Sequence, residues 1–297
     1  GLGAYAFFST PGATCALRPF FRSRGTLGMG AFLRDIVRIL DTIAPPALAE
    51  PWDNVGLQLG DPGRDVKAVW IALDASPAVI DAACAGRIDL LVTHHPLIFR
   101  PLTRIDVQSP TGAAIGQALQ HRLAVFSLHT NLDAVSQGLN DLLAQRLELT
   151  RVRPLIANPA VAGNRHGIGR VGLLARPCRL SELALSVKRR LGAEGVRIAG
   201  DPQLRVQRVA VSTGSGSGVM ANFLQSAAQV LISGDLRYHD ARDAEAAHRG
   251  LLDVGHFHSE HLMKDALVQR LAKALVRKRL SVRVEACPLE KDPFTFL

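Results

Sequence analysis

Aromatic side chains make up only 5% of the 297 residues, so a packed interior has to be built from Leu, Val, Ile and Ala. Cysteine is scarce too. Cys15, Cys84, Cys178 and Cys287 stand far apart and form no CxxC pair. That excludes a disulfide framework and fits a reducing, cytoplasmic setting with incidental thiols. No apolar run approaches the roughly 20 residues that cross a bilayer as a helix, so no membrane association is expected. What is present is globular composition: 47% hydrophobic and 21% charged residues, enough for a sizeable core in one large domain or two ordinary ones. The formal net charge of +9 permits weak attraction to nucleic acid or to an anionic substrate. Such an excess bears on association rather than fold, and it reads mainly as background.

Acidic residues are missing altogether from residues 1–28, which carry Arg18, Arg22 and Arg24 among Gly, Ser and Thr. This overlaps with transit-peptide composition. The stronger reading is a poorly ordered extension outside the function, with Met29 expected as the true beginning.

From residue 31 onward the periodicity changes. Phe32, Leu33, Ile36, Val37, Leu40 and Ile43 recur at helical spacing, and Pro45-Pro46 stops the helix. Strands are predicted at 69–73, 90–92, 123–128, 171–175, 206–211, 230–232 and 251–254, with a last one near Val284. Helices are predicted at 76–85, 112–120, 137–147, 181–191, 219–227, 240–248 and 262–275. Ser76-Pro77 is a cap followed by a first-turn proline. Residues 148–170 read as irregular. The order strand, helix, strand, polar cluster occurs twice, once over 66–95 and once over 206–240. It predicts an α/β fold of two similar halves in layered α/β/α packing, 29–150 and 151–297, with the last part packing on the first half. A site is then expected in the cleft between the halves, because ligands gather at the carboxyl ends of strands in open α/β sheets.

The polar clusters at those strand ends carry the chemistry. Leu90-Leu-Val-Thr-His-His-Pro-Leu-Ile-Phe99 ends a buried strand in two adjacent histidines. Neutral imidazole is the commonest protein metal ligand. His129-Thr-Asn-Leu-Asp133 and Gly255-His-Phe-His-Ser-Glu260 follow two later strands. His94, His95, Asp133, His256 and Glu260 are therefore the candidate metal ligands. Adjacent residues at a strand end point to opposite sides, so His94 and His95 can serve separate ions. His256 and Glu260 share one face if a helix begins there. Either carboxylate can be shared between two cations. Three imidazoles and two carboxylates suit zinc, manganese, iron or similar ions, not calcium. Each fragment alone has a plainer reading, as a satisfied polar residue, a helix cap or a surface ion pair. Their convergence at three strand ends favours the metal site. His129, His239 and His258 are candidates for orienting a ligand or handling a proton, with local hydrogen bonding as the equal alternative.

Other motifs weigh less. Gly167-Ile-Gly-Arg-Val-Gly172 matches a dinucleotide glycine pattern but precedes a strand instead of following one. Thr213-Gly-Ser-Gly-Ser-Gly218 lacks the Lys-Ser/Thr ending of a phosphate loop and reads as a tight turn. Arg277-Lys-Arg279 suits the negative end of the last helix.

The segments 93–99, 129–133 and 255–260, together with Trp52-Asp-Asn-Val-Gly56 and Gly234-Asp-Leu-Arg-Tyr-His-Asp240, resemble the NIF-three-like family. Its bacterial members are usually labelled GTP cyclohydrolase 1 type 2 homologues. The resemblance covers residue 29 to the end. It implies a toroidal homo-hexamer with a dinuclear metal centre in each subunit, its ligands at the same five positions. Family members often carry Glu where this chain has Asp235. The label implies opening of the imidazole ring of GTP by metal-activated water. No purine pocket or triphosphate clamp is legible; Arg100, Arg104 and Arg237 are candidate anion contacts. The expectation is a dinuclear, metal-dependent hydrolase of a nucleotide-like small molecule, with His129 or His239 relaying protons. The alternative is a non-catalytic metal-binding ring, a scaffold or regulator that binds protein or nucleic acid.

Overall fold

The helix that opens the patterned part of the chain shows how an interior poor in aromatics is built. In α1 (Leu33–Ile43) the buried residues are Leu33, Ile36, Ile39, Leu40 and Ile43, a single aliphatic stripe at helical spacing. The computed structural model describes residues 30–158 and 165–296, so the reading of residues 1–28 lies outside the described residues.

After a short β1 (Ala31–Phe32) and α1, the first half runs through β2 (Gly56–Leu59), β3 (Asp65–Val66), β4 (Ala68–Ala72), α2 (Pro77–Ala85), β5 (Leu90–Thr93), α3 (Pro110–Gln120), β6 (Ala124–Ser127) and α4 (Thr130–Ala134). Next comes α5 (Leu139–Arg146), which lies before residue 150 yet packs on the second sheet, followed by β7 (Thr150–Ala157), β8 (Gly167–Arg179), α6 (Leu180–Leu191), β9 (Arg197–Ala199), β10 (Arg205–Ser215), α7 (Met220–Gln225), β11 (Val230–Gly234), α8 (Tyr238–Ala246), β12 (Gly250–Asp253) and α9 (His256–Glu260). Then α10 (Met263–Arg277) and β13 (Arg283–Ala286) close the described chain.

Besides the small antiparallel pair β1-β3, two larger sheets result, in the orders β13-β4-β5-β6-β2 and β7-β8-β10-β11-β12-β9. At the centre of each lie three parallel strands, β4-β5-β6 in one and β10-β11-β12 in the other. This is the repeat seen in the sequence, and the fold is α/β with helices on both faces of each sheet. On the first sheet, one face packs on α1 and α10, the other on α2 and α3. On the second, α5 and α6 cover one face, α7 and α8 the other. Strand β13 pairs in parallel with β4, which returns the end of the chain to the first sheet.

Differences from the sequence reading have local causes. Residues 148–170 are not irregular: they contain β7 and the start of β8. β7 is an edge strand, largely exposed, with Arg151, Arg153 and Pro154 in it. An edge strand needs no apolar alternation and tolerates proline, so the period that marks a buried strand is missing. The glycines at 167–172 lie inside β8, not ahead of it. The helix after β8 is capped at Arg179, two residues before the expected Ser181. Among the described residues no helix is long and apolar enough to cross a membrane.

Candidate metal centre

The parallel strands of each half stop level with one another: Ala72 pairs with Thr93, Thr93 with Ser127, and Ser233 with Asp253. The polar residues that follow are thereby delivered to one edge. His94 and His95 come directly after β5, His129 caps and Asp133 lies within α4 after β6, and His256 and Glu260 span α9 after β12. In α9 the histidine stands four residues before the carboxylate, so His256 and Glu260 share a helix face.

The orientation of the rings is set from behind. His94, wholly buried, has Nδ1 2.8 Å from the Leu128 carbonyl oxygen. A carbonyl oxygen only accepts, so Nδ1 carries the hydrogen and Nε2 keeps its lone pair. His95 Nδ1 faces Asp74 Oδ1 at 2.8 Å, His129 Nδ1 faces Asp53 Oδ1 at 2.8 Å, and His256 Nδ1 faces Asp235 Oδ2 at 2.7 Å. Asp133 is held by Thr213, whose Oγ1 donates to Asp133 Oδ1 at 3.0 Å.

What the free ring nitrogens meet is other acceptors. His94 Nε2 lies 3.4 Å from Glu260 Oε1 and 3.8 Å from Asp133 Oδ1. His95 Nε2 lies 3.1 Å from Glu260 Oε2 and 3.2 Å from His256 Nε2, which is itself 2.9 Å from the same carboxylate oxygen. His94 Nε2 and Glu260 Oε2 are buried without a hydrogen-bond partner. Acceptors facing acceptors in a dry interior repel unless protons or a cation lie between them. Zinc-like ions hold imidazole and carboxylate donors about 2.0–2.2 Å away, which spaces neighbouring donors roughly 3–3.5 Å apart. The spacing here is of that kind, and the donor set fits divalent metal.

Three groups of potential ligands overlap: His94, Asp133 and Glu260; His95, His256 and Glu260; and His94, His95 and His129. Glu260 belongs to the first two and links them. The structure thus brings all five expected ligand positions together, and it brings His129 with them. His239 is exposed on α8, with its ring against Tyr238, and belongs to none of these groups. His258 faces Asp292, with Nε2 3.3 Å from Oδ2. Arg100, Arg104 and Arg237 are exposed.

Without a cation, protons must separate these acceptors. Burial pulls the His95 pKa down, but the hydrogen bond to Asp74 and the adjacent Glu260 carboxylate outweigh it and raise it to about 10. For His256 burial is likewise overcome, by Glu260 and Asp235, to about 9. Burial raises the Glu260 carboxyl, yet His94, His256 and His95 hold it well below its usual range. Asp53, despite burial, is held at about 2 by His129 and Thr130. A consequence can be measured. At pH 7 both His95 and His256 carry a proton in the metal-free protein, and a divalent ion has to displace it. Metal affinity is expected to climb with pH through neutrality and level off only above about pH 10, once both histidines have lost that proton. Calorimetric titration with Zn or Mn in buffers of different ionisation enthalpy counts the released protons; none released at pH 7 would rule out both histidines as ligands.

Several residues of the centre were given no role in it by sequence reasoning, although Asp53, Thr213 and Gly214 lie in stretches already noted, the last two in one read as a tight turn. Asp53 and Asp74 orient His129 and His95, and Thr213 holds Asp133. Gly214 gives Glu260 its space, since a Cβ there would stand 2.3 Å from Glu260 Oε1. Buried Glu290 accepts from the backbone N–H of Leu73 at 2.7 Å and of Asp74 at 2.8 Å, and its other oxygen lies 3.0 Å from Lys264 Nζ. It ties the last part of the chain to the loop that orients His95. Asp74 follows the end of β4, the same edge as the histidines, and that position was the one available signal. Glu290 had none.

Comparison with known proteins identifies the family and the fold. Residues 31–293 match the family described as Duf34/NIF3 (NGG1p interacting factor 3). A Streptomyces coelicolor protein named GTP cyclohydrolase 1 type 2 homolog is 34% identical over 266 residues, covering 89% of this chain and 93% of that one. Among solved structures, a Bacillus cereus protein related to NIF3 superposes with a TM-score of 0.85 at 24% identity, over 90% of this chain and 99% of the other. A Staphylococcus aureus protein gives 0.83 at 26% identity, with the same coverage.

Proposed function

This chain belongs to the Duf34/NIF3 family, and from that premise we propose that it is a metal-dependent hydrolase with a dinuclear divalent-metal centre, acting on a nucleotide-like small molecule. The observation that carries the proposal is Glu260, whose Oε1 faces His94 while its Oε2 faces His95 and His256. One carboxylate placed between two imidazole-bearing groups is the arrangement of a shared ligand. His94, Asp133 and Glu260 would hold one ion; His95, His256 and Glu260 the other. A pair of Zn, Mn or Fe ions supplies Lewis-acid chemistry, acidifying water and neutralising charge that develops on a carbonyl or phosphoryl oxygen.

The remaining work falls to side chains. Asp74 and Asp235 fix the ligand rings, and Asp53 fixes His129. His129 is partly exposed at the edge of the group and is the histidine assigned to proton handling. Its hydrogen bond to Asp53 sets which nitrogen faces the reacting molecule. The printed name of the Streptomyces relative makes ring opening of GTP the first candidate reaction. A homo-hexamer is part of the same proposal.

The test is direct. The protein is loaded in turn with Zn, Mn and Fe(II), its metal content is measured, and GTP is assayed for formate release alongside a panel of nucleotides and phosphoesters. Turnover that needs metal and falls at least about 100-fold in Glu260→Gln is expected, by the scale of losing a charged catalytic group. Stoichiometric metal with no turnover of any substrate would leave the non-catalytic ring as the better reading. Light scattering reports the assembly size.

A further inference from the structure

Beside the centre stands a corner of two exposed aromatic rings. The Trp52 indole meets Phe99 with centroids 5.9 Å apart and planes inclined at 62°, and it lies 6.0 Å from the His129 ring. Phe99 is 6.2 Å from His129 as well. Trp52 is 59% exposed and Phe99 46%. Single apolar side chains at a surface are ordinary. This pair is different because it is built in. Asn54 Nδ2 donates to the Ile98 carbonyl at 2.6 Å, the Ile98 N–H donates to Gln58 Oε1 at 3.1 Å, and Gln58 Nε2 donates to the Asn54 carbonyl at 2.8 Å. These bonds stitch the segment bearing Trp52 to the segment bearing Phe99. The same segments serve the centre: Asp53, next to Trp52, orients His129, and Phe99 lies four residues after His95. In a chain with only 5% aromatics, two exposed rings stand against His129, a member of the candidate ligand groups.

We propose that Trp52 and Phe99 form the seat for a planar heteroaromatic ring of the substrate, a purine base first of all. Stacking on an aromatic face is the interaction such a corner offers, and every nucleobase presents a π-face to it. The charge nearby agrees. Arg100 and Arg104 follow Phe99 on the same exposed segment, ahead of Asp106, and offer cations to phosphates carried by the base. This deepens the hydrolase reading by naming what holds the substrate, and it rests on that reading only for the idea that the bound ring is then attacked.

The probes are GTP, guanosine and inorganic tripolyphosphate, titrated into metal-loaded protein by calorimetry. Trp52→Ala is expected to weaken GTP and guanosine binding roughly 5- to 150-fold, the range for losing one base-on-aromatic stack, while tripolyphosphate binds as before. Trp52→Phe is expected to recover most of the loss. Metal content is measured on each variant; if Trp52→Ala disturbs it, Phe99→Ala, whose backbone does not adjoin Asp53, carries the same test. The seat is overturned if wild-type protein does not bind guanosine, if guanosine binding is unchanged in the variants, or if tripolyphosphate is lost equally. It is also overturned if the variants change only the oligomeric mass, which would make the corner a contact between copies of the chain. Guanosine binding that depends on Trp52, with no nucleotide turned over, would sink the hydrolase reading and leave the seat standing.

Discussion

Replacing Glu260 by Gln is expected to empty the centre, removing metal from both groups of ligands rather than from one. Gln has the same shape, so packing of α9 is kept. What changes is charge and one acceptor. In the native arrangement Glu260 is the one side chain common to the His94–Asp133 group and the His95–His256 group. It is also nearly fully buried, so no water can stand in for the lost oxygen. Even ordering partners behind a ligand are worth about 10- to 100-fold in metal affinity, and a shared anionic ligand is expected to exceed that for each ion. Asp133→Asn and His256→Gln make the comparison, each weakening only its own group. Elemental analysis gives the stoichiometry. Thermal unfolding gives an independent measure, because an ion at 100 times its Kd stabilises the folded chain by about 2.7 kcal/mol, and that increment should vanish in Glu260→Gln. Native stoichiometry in Glu260→Gln would refute the shared-ligand arrangement.

The second large effect is expected at Gly214, a residue with no functional group. It is the second-last residue of β10, with φ at +62°, and a Cβ built on it would meet Glu260 Oε1 at 2.3 Å and His256 Nε2 at 3.2 Å. Gly214→Ala therefore has two costs. The left-handed backbone alone costs an L-residue about 1–2 kcal/mol. The methyl group also has to push the shared carboxylate out of line. Gly192 separates the two, since it ends α6 with φ at +67° and has nothing within 4 Å of a built Cβ. Gly192→Ala is expected to lower stability by the backbone cost of about 1–2 kcal/mol and leave metal binding alone. Gly214→Ala is expected to lose comparable stability in the metal-free state and, in addition, most of its metal. Denaturant unfolding with and without chelator, read beside metal content, resolves the two contributions. Equal metal content in both variants would mean that Glu260 does not need this space.

How much of this was legible beforehand differs by element. Ser76 caps α2 as expected, its side chain accepting from the Val79 N–H, because a cap is made within four residues of chain. The stripe of α1 and the three parallel strands of each half were readable for the same reason: buried elements impose a period on neighbouring residues. β7 was not, since an exposed edge imposes none. His129 was expected to assist, and it proves to lie within ligand distance of His94 and His95. Nothing near it in the chain marks this. Its orienting partner Asp53 is 76 residues away, and Glu290 reaches Leu73 across 217.

The sequence by itself determined the repeated strand–helix order and the residue types at the strand ends, because both are written in local periodicity and in the chemistry of single side chains. The tertiary structure alone decided which of those residues face one another, which nitrogen of each ring is free, and that Glu260 stands between two groups. Those depend on the level at which parallel strands stop and on hydrogen bonds between segments far apart in the chain. A window of sequence carries no record of either.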